Sequence, residues 1–444
     1  MKPRTARRAR RRGLLSVCRV LLAGAALLAT VSMPSPGWGG ETSVGELPIL
    51  TRMFPPLQEG MKPLDPFFRD TDLVLQLRTF YRLLENPNRT TSEAWAAGGR
   101  LTYRSGWWLD TFQIGAALYT SQPLYAPEDR DGTSLLAPGQ EGYTALGLAY
   151  AALRYKAYAV LTGYHQEVDT PYVNPQDDRM APNTFEGVTL SGKAPHVDYT
   201  LGYLTQLKPR NENQFLSFGE VAGVKGGDQE LLLAGLRVEP WKNLVLRVFE
   251  YYVDDAFNTG YGDVDYLHSL GSDLSLRVGV QYTDQRSVGG DRLGAFETWV
   301  VAGRAAVAYA GFTLTGAFAA TGEGADIRTP FGTYPGYVKL IQKDFNRAGE
   351  KAWAIRLDYD LARLGIPGLS ALAAVARGVD AVDLKTGRPA PDRTEYNVDA
   401  TYRPPTGTLR GFSFRVRLAL LDQSGSDHLG YDVRLIVNYE LPLL

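Results

Sequence analysis

Residues 350–378 read EKAWAIRLDYDLARLGIPGLSALAAVARG. From Lys351 to Leu361 the chain alternates: Trp353, Ile355, Leu357, Tyr359 and Leu361 share one face, while Ala354, Arg356, Asp358 and Asp360 share the other. A period of two is that of a β-strand, here with one apolar and one charged face. Gly365, Pro367 and Gly368 then interrupt the pattern: proline cannot donate to a sheet ladder and glycine accepts turn dihedrals, so Leu369 opens a second strand and the stretch is a hairpin. Its charged face meets water, and its apolar face needs either a packed core or lipid.

The same alternation recurs along the chain. It predicts eighteen strands, at 72–84, 93–104, 110–121, 143–155, 157–166, 184–192, 196–207, 230–239, 241–252, 263–270, 274–283, 298–309, 312–321, 351–361, 369–377, 395–403, 412–421 and 430–443. Each is near the roughly ten residues that a tilted membrane strand requires. In one of the clearest, Leu274, Leu276, Val278, Val280 and Tyr282 alternate with Ser275, Arg277, Gly279, Gln281 and Thr283. Loop lengths follow strand parity. The long polar joints are 122–142, 167–183, 208–229, 284–297, 322–350 and 378–394; between them stand Lys156, 193–195, Pro240, 310–311 and the somewhat longer 362–368. Long loops on one side and short turns on the other belong to an outer-membrane barrel, and a soluble sandwich has no reason to alternate them. Trp95, Trp107, Trp108, Trp241, Trp299 and Trp353 fall at or near strand ends, where indole rings suit a membrane interface. The fold expected is an all-β, 18-stranded antiparallel transmembrane barrel of residues 71–444.

The first forty residues carry Lys2, six arginines by Arg12, an apolar run from Val20 to Val31, and then Pro34, Ser35, Gly37 and Gly39. This order is that of a secretory signal, and about twelve apolar residues are too few for a spanning helix. Residues 1–40 are therefore expected to be removed, and with them Cys18, the only cysteine, so no disulfide is expected. Of 47 basic residues eight lie in the signal and all 48 acids lie beyond it, leaving a net charge of −9. That balance argues against a nucleic-acid partner. The proline-rich segment 41–70 has no period and is expected to be a periplasmic or lumenal arm.

Glu350–Gly378, the segment Asp178–Gly187 (DRMAPNTFEG) and the final strand, with Val433, Leu435, Val437, Tyr439, Leu441 and Leu443 in phase, resemble the OprD-type specific porins of bacterial outer membranes. The resemblance covers most of the chain after about Asp65. It implies uptake of small carboxylates, amino acids included, along a ladder of basic residues, and an infolded third loop. It departs at Ala374, where the family's pattern often carries a basic residue.

Parity nominates the same chemistry. Arg78, Arg82, Arg100, Arg104, Arg415, Arg417 and Arg434 point into the lumen, and Arg356 is added from the charged face of the opening hairpin. In a closed barrel the last strand pairs with the first, so the first seven stand on one wall. Guanidinium groups stay charged and bind carboxylates through two parallel hydrogen bonds, which suits handing an anion from site to site. In loop 167–183, Asp169, Tyr172, Asp177, Asp178 and Arg179 are the candidate constriction, facing that wall. Loop 322–350, with Tyr334, Tyr337, Lys339 and Lys343, is a second candidate, with a surface excursion as its other reading.

No Gly-x-Ser-x-Gly elbow, His-Glu-x-x-His or phosphate loop occurs, and His165, His196, His268 and His428 are scattered, so no enzyme, cofactor or metal is expected. The function expected is a passive outer-membrane channel for small anionic or zwitterionic solutes, in contact with lipid, as a monomer or homotrimer. A general diffusion pore, a channel for uncharged solutes, and a plugged receptor or adhesin are the alternatives.

Overall fold

The computed structural model describes residues 48–444 apart from Ala157 and Ser272; the expected signal at 1–40 and the start of the arm lie outside the described residues. Eighteen long strands form the wall: β1 Asp72–Glu85, β2 Thr91–Arg104, β3 Phe112–Tyr125, β4 Tyr143–Tyr155, β5 Ala159–Gln166, β6 Thr184–Ala194, β7 Val197–Lys208, β8 Leu231–Trp241 and β9 Leu244–Val253 make one half. β10 Phe257–Leu270, β11 Leu274–Ser287, β12 Glu297–Tyr309, β13 Phe312–Thr321, β14 Lys351–Asp360, β15 Leu369–Val379, β16 Arg393–Tyr402, β17 Phe412–Gln423 and β18 Gly430–Pro442 make the other. Each pairs antiparallel with its neighbours. β1 pairs with β18 from Val74↔Pro442 to Glu85↔Tyr431, which closes the barrel and leaves no sheet edge.

The wall is solvated in the reverse sense to a soluble protein. On β11, Leu276, Val278, Val280 and Tyr282 are exposed on the outer face, while Gln281, Thr283 and Gln285 are buried on the inner one. Lipid accepts the first set without cost, and the second needs partners or water. Trp95, Trp299 and Trp353 lie toward the loop end of their strands and Trp241 at the turn end, forming two interfacial girdles. At the turn between β12 and β13, Ala310 and Gly311 take φ of 52° and 88° under the Tyr309↔Phe312 pair, the left-handed conformation that lets a two-residue turn follow the strand twist.

β10 starts six residues earlier than the sequence pattern indicates, at Phe257 rather than 263. Its outward positions there are Asn258, Gly260 and Gly262 and its inward ones Phe257 and Tyr261, so the usual apolar-out alternation is inverted. Pairing with Ser287 through Thr283 of β11 holds this segment in the sheet regardless.

Among the described residues, three short helices precede the barrel, α1 Ile49–Met53, α2 Pro55–Met61 and α3 Pro66–Arg69. They lie at the turn end: Leu50 N–H donates to Leu443 O at 3.1 Å, and Gly106 N–H donates to Phe67 O at 2.9 Å. α3 is capped by Asp65, whose carboxylate accepts from Phe67 N–H, and Pro66 occupies its first turn.

Several outer loops turn inward. The third (167–183) and seventh (322–350) bury Val168, Tyr172, Val173, Ile327, Phe331, Tyr334 and Val338 against Phe249, Tyr251, Phe257, Tyr261 and Val300 of the inner wall. The two loops are joined where Thr333 N–H donates to Asn174 Oδ1 at 2.8 Å and Asn174 N–H donates to Phe331 O at 3.3 Å. Leu135 and Leu136 of the second loop (126–142) pack with Phe80 and with Met180 of the third.

Candidate functional site

Closure of β18 on β1 brings a row of charged side chains together in the lumen. The register sets Asp399 of β16 opposite Arg417, Arg417 opposite Arg434, and Arg434 opposite Arg82. Directly paired side chains project to the same face from Cα atoms roughly 5 Å apart. Three guanidinium groups therefore stand in one row across β17, β18 and β1. Such a row repels itself, and buried carboxylates offset the repulsion. Asp432 accepts from Nη2 of Arg82 and of Arg434, both at 2.8 Å, and Asp399 accepts from Arg415 Nη2 at 2.6 Å and Arg417 Nε at 2.8 Å.

The members on β1 and β18 also hold loops. Arg78 donates to Asn438 Oδ1 and Asp177 Oδ1, each at 2.7 Å, and to the carbonyl of Arg179. Arg82 Nη1 donates to Thr133 O at 2.8 Å, and Arg434 Nη2 donates to Ile341 O at 3.2 Å. On the neighbouring strand Arg415 and Arg417 retain partial exposure, and Arg100 on β2 lies 3.9 Å from Glu167, a pair open to the lumen. Arg104 pairs with Asp72 at 2.8 Å near the turn end. Arg356 stands apart on β14, paired with Asp358 at 2.6 Å; in register with it come Ala374 of β15 and then Asn397 of β16, so Ala374 leaves a gap between Arg356 and the arginine row.

The third loop crosses the lumen. At one end Tyr172 is buried among Tyr251, Tyr261 and Tyr334, its hydroxyl 2.9 Å from Thr283 Oγ1, so it anchors the loop to the wall opposite the seam. At the other end Asp177 reaches Arg78. Next to Asp177, Asp178 accepts from Arg179 at 2.8 Å and from Arg210 of the fourth loop (209–230) at 2.5 Å. Burial alone would raise the Asp178 carboxyl, but Arg179, Arg210, Arg434 and Lys339 outweigh it and hold the group far below the ordinary carboxylate range. Asp169 is exposed, and burial of its surroundings raises its carboxyl above the usual value. The seventh loop crosses in parallel: Gln342 and Lys343 N–H both donate to the Glu395 carboxylate at 2.9 Å.

The sequence reading missed the acids that organise the row, Asp399 and Asp432, and the loop cation Arg210. It also missed a second cluster, Arg247, Arg277 and Arg304 with Asp263 and Asp265, on β9 to β12. The signal was available for the strand residues, since the inward parity that nominates Arg434 also nominates Asp432 and Arg277.

Residues 65–443 match the family described as outer membrane porin, OprD family. The chain is 26% identical over 423 residues to Porin D of Pseudomonas aeruginosa, covering 85% of this chain and 92% of that one. Among solved structures it is similar to OccK9 (OpdG) of Pseudomonas aeruginosa, with a TM-score of 0.78 and 25% identity over 85% of this chain and 100% of that one. A BenF-like porin from Pseudomonas fluorescens shares the fold, with a TM-score of 0.77 and 20% identity over 85% and 100% of the two chains.

Proposed function

The chain belongs to the OprD family of bacterial outer-membrane porins, and on that premise we propose that it is a passive channel selective for small carboxylate-bearing solutes, amino acids included. The observation that carries this reading is the arginine row of the seam facing the acids of the third loop. Arg415, Arg417 and Arg100 present partly exposed guanidinium groups, and Glu167 of the third loop lies 3.9 Å from Arg100. Opposed charges set a transverse field, which turns a zwitterion so that its carboxylate meets the arginines and its ammonium the loop. Several weak sites in series suit conduction, because a solute held by one tight site does not leave.

Within this reading the arginines divide the work. Arg78, Arg82 and Arg434 hold the second, third and seventh loops in place and shape the passage. Arg415, Arg417 and Arg100 contact the solute. Recordings in planar bilayers test this: glutamate added to the loop side should block current, and Arg415→Ala with Arg417→Ala should raise the blocking concentration by about tenfold, the cost of one lost charge-assisted hydrogen bond. An unchanged blocking concentration would leave a porin without an arginine-guided solute. A chain that conducts no current at all would be a plugged receptor.

A further inference from the structure

We infer that Arg247, Arg277 and Arg304, half way around the barrel from the β1–β18 seam, form a second anion-binding step on the turn side of the two crossing loops, which takes the carboxylate of a solute leaving the seam wall. The solute class rests on the proposal above; the anion site itself stands on the geometry of this wall alone.

Arg247 and Arg277 lie in the turn-side part of β9 and β11, strands that rise from the turns, and Arg304 lies past the middle of β12, which descends to a turn. Asp263 is opposite Arg247, and Asp265 is opposite Gly279, which is in turn opposite Arg304. Arg247 grips Asp263 through Nε and Nη2, both at 2.8 Å. Asp265 accepts from Arg277 Nε at 2.6 Å and from Arg304 Nη2. Three cations thus share two acids, leaving one positive charge in excess.

Exposure turns this excess toward the bore. The Asp263 and Asp265 side chains are 0% and 7% exposed, whereas those of Arg247, Arg277 and Arg304 are 36%, 49% and 23% exposed. The acids sit behind the guanidinium groups and orient them, and the cationic edges meet the lumen. Arg277 spends only Nε on Asp265, so both its terminal nitrogens lack a partner among the described residues and can form a two-bond fork to a carboxylate.

The seventh loop adds a roof. Its Tyr337 ring lies 4.4 Å from the Arg304 guanidinium, and the Tyr337 hydroxyl has no hydrogen-bond partner among the described residues. Gly279 makes that approach possible: a Cβ there would lie 2.9 Å from Tyr337 Oη and 3.1 Å from both Arg304 Nε and Asp265 Oδ2. The cluster is therefore closed on the loop side and open toward the turns, which suits the last anion contact before release.

The experiment uses the mature channel inserted in one orientation in planar bilayers, with glutamate added to one side at a time. Arg277→Gln is the probe variant, because Arg304 still neutralises Asp265 and the barrel keeps its fold. Block from the turn side should weaken by about threefold, the effect expected of a partly solvated ion pair. Block from the loop side should stay as it is, and Arg277→Lys should restore turn-side block. In a chloride gradient without glutamate, the ratio of chloride to potassium permeability should fall about twofold in Arg277→Gln. Turn-side block and permeability ratio both unchanged would overturn the inference, as would equal weakening from both sides, which would mark a charge acting on the whole pore. If Arg415→Ala with Arg417→Ala leaves loop-side block intact while Arg277→Gln weakens turn-side block, the seam reading fails and this site stands.

Discussion

Two walls of this barrel carry arginines tied to buried aspartates, and they differ in what covers them. On the seam, Arg78, Arg82 and Arg434 side chains are 4%, 7% and 2% exposed, because carbonyl groups of the second, third and seventh loops lie on them. On the facing wall the same pairing leaves Arg277 half exposed. Guanidinium–carboxylate pairing is common to both, so the pairing cannot assign a role. Burial can: a covered arginine positions protein, and an open one is available to a solute. The seam itself changes character from strand to strand, from loop clamps on β1 and β18 to partly open rungs at Arg415 and Arg417 on β17 and Arg100 on β2.

If this contrast holds, removing the acid should hurt the covered wall far more. Asp432→Ala strands Arg82 and Arg434 beside each other out of water and should destabilise the barrel by about 3–5 kcal/mol, the cost of breaking a buried pair. Asp265→Ala, whose arginines reach water, should cost about 1–2 kcal/mol. Urea unfolding of refolded protein in micelles measures both; equal losses would break the distinction.

A second test sharpens it through pH. The Asp178 carboxyl is held below its unfolded value, so its contribution is fully present above about pH 4 and is lost only as pH falls through the lower folded value. The third loop should therefore stay anchored down to about pH 4, with current flicker rising only in more acid solution. Arg210→Gln removes one of the cations that depress Asp178, so flicker should begin at a less acid pH than in the parent channel.

Smaller effects separate the loop's two anchors. Tyr172→Phe removes one buried hydroxyl contact with Thr283 and should cost about 1 kcal/mol in thermal unfolding, without changing ion selectivity. Arg277→Gln should do the opposite, changing selectivity while costing less than about 1 kcal/mol, since its pair is half solvated.

How much of this could be read along the chain depends on range. Strand positions were legible because lipid on one side and water on the other impose a period of two, and the pattern falters most at 257–262, where Gly260 and Gly262 replace outward apolar residues. Inward parity found Arg434 and Arg417, yet nothing local says that they stand opposite one another, since that depends on the register of β17 with β18. Nor does parity separate Arg434 from Arg277: both point inward, and what differs is Ile341, brought to Arg434 by a loop over ninety residues away in sequence.

The amino-acid sequence by itself determined the barrel, its strand count, its orientation of long loops and short turns, and the inward set of charges, because each follows from the alternation of neighbouring residues between two solvents. Only the tertiary structure decided which charges share an acid, which are covered, and which face the bore. Those depend on strand register, on closure of β18 against β1, and on loops that spend their apolar side chains, Tyr172, Phe331 and Tyr334 among them, on the inner wall rather than outside it.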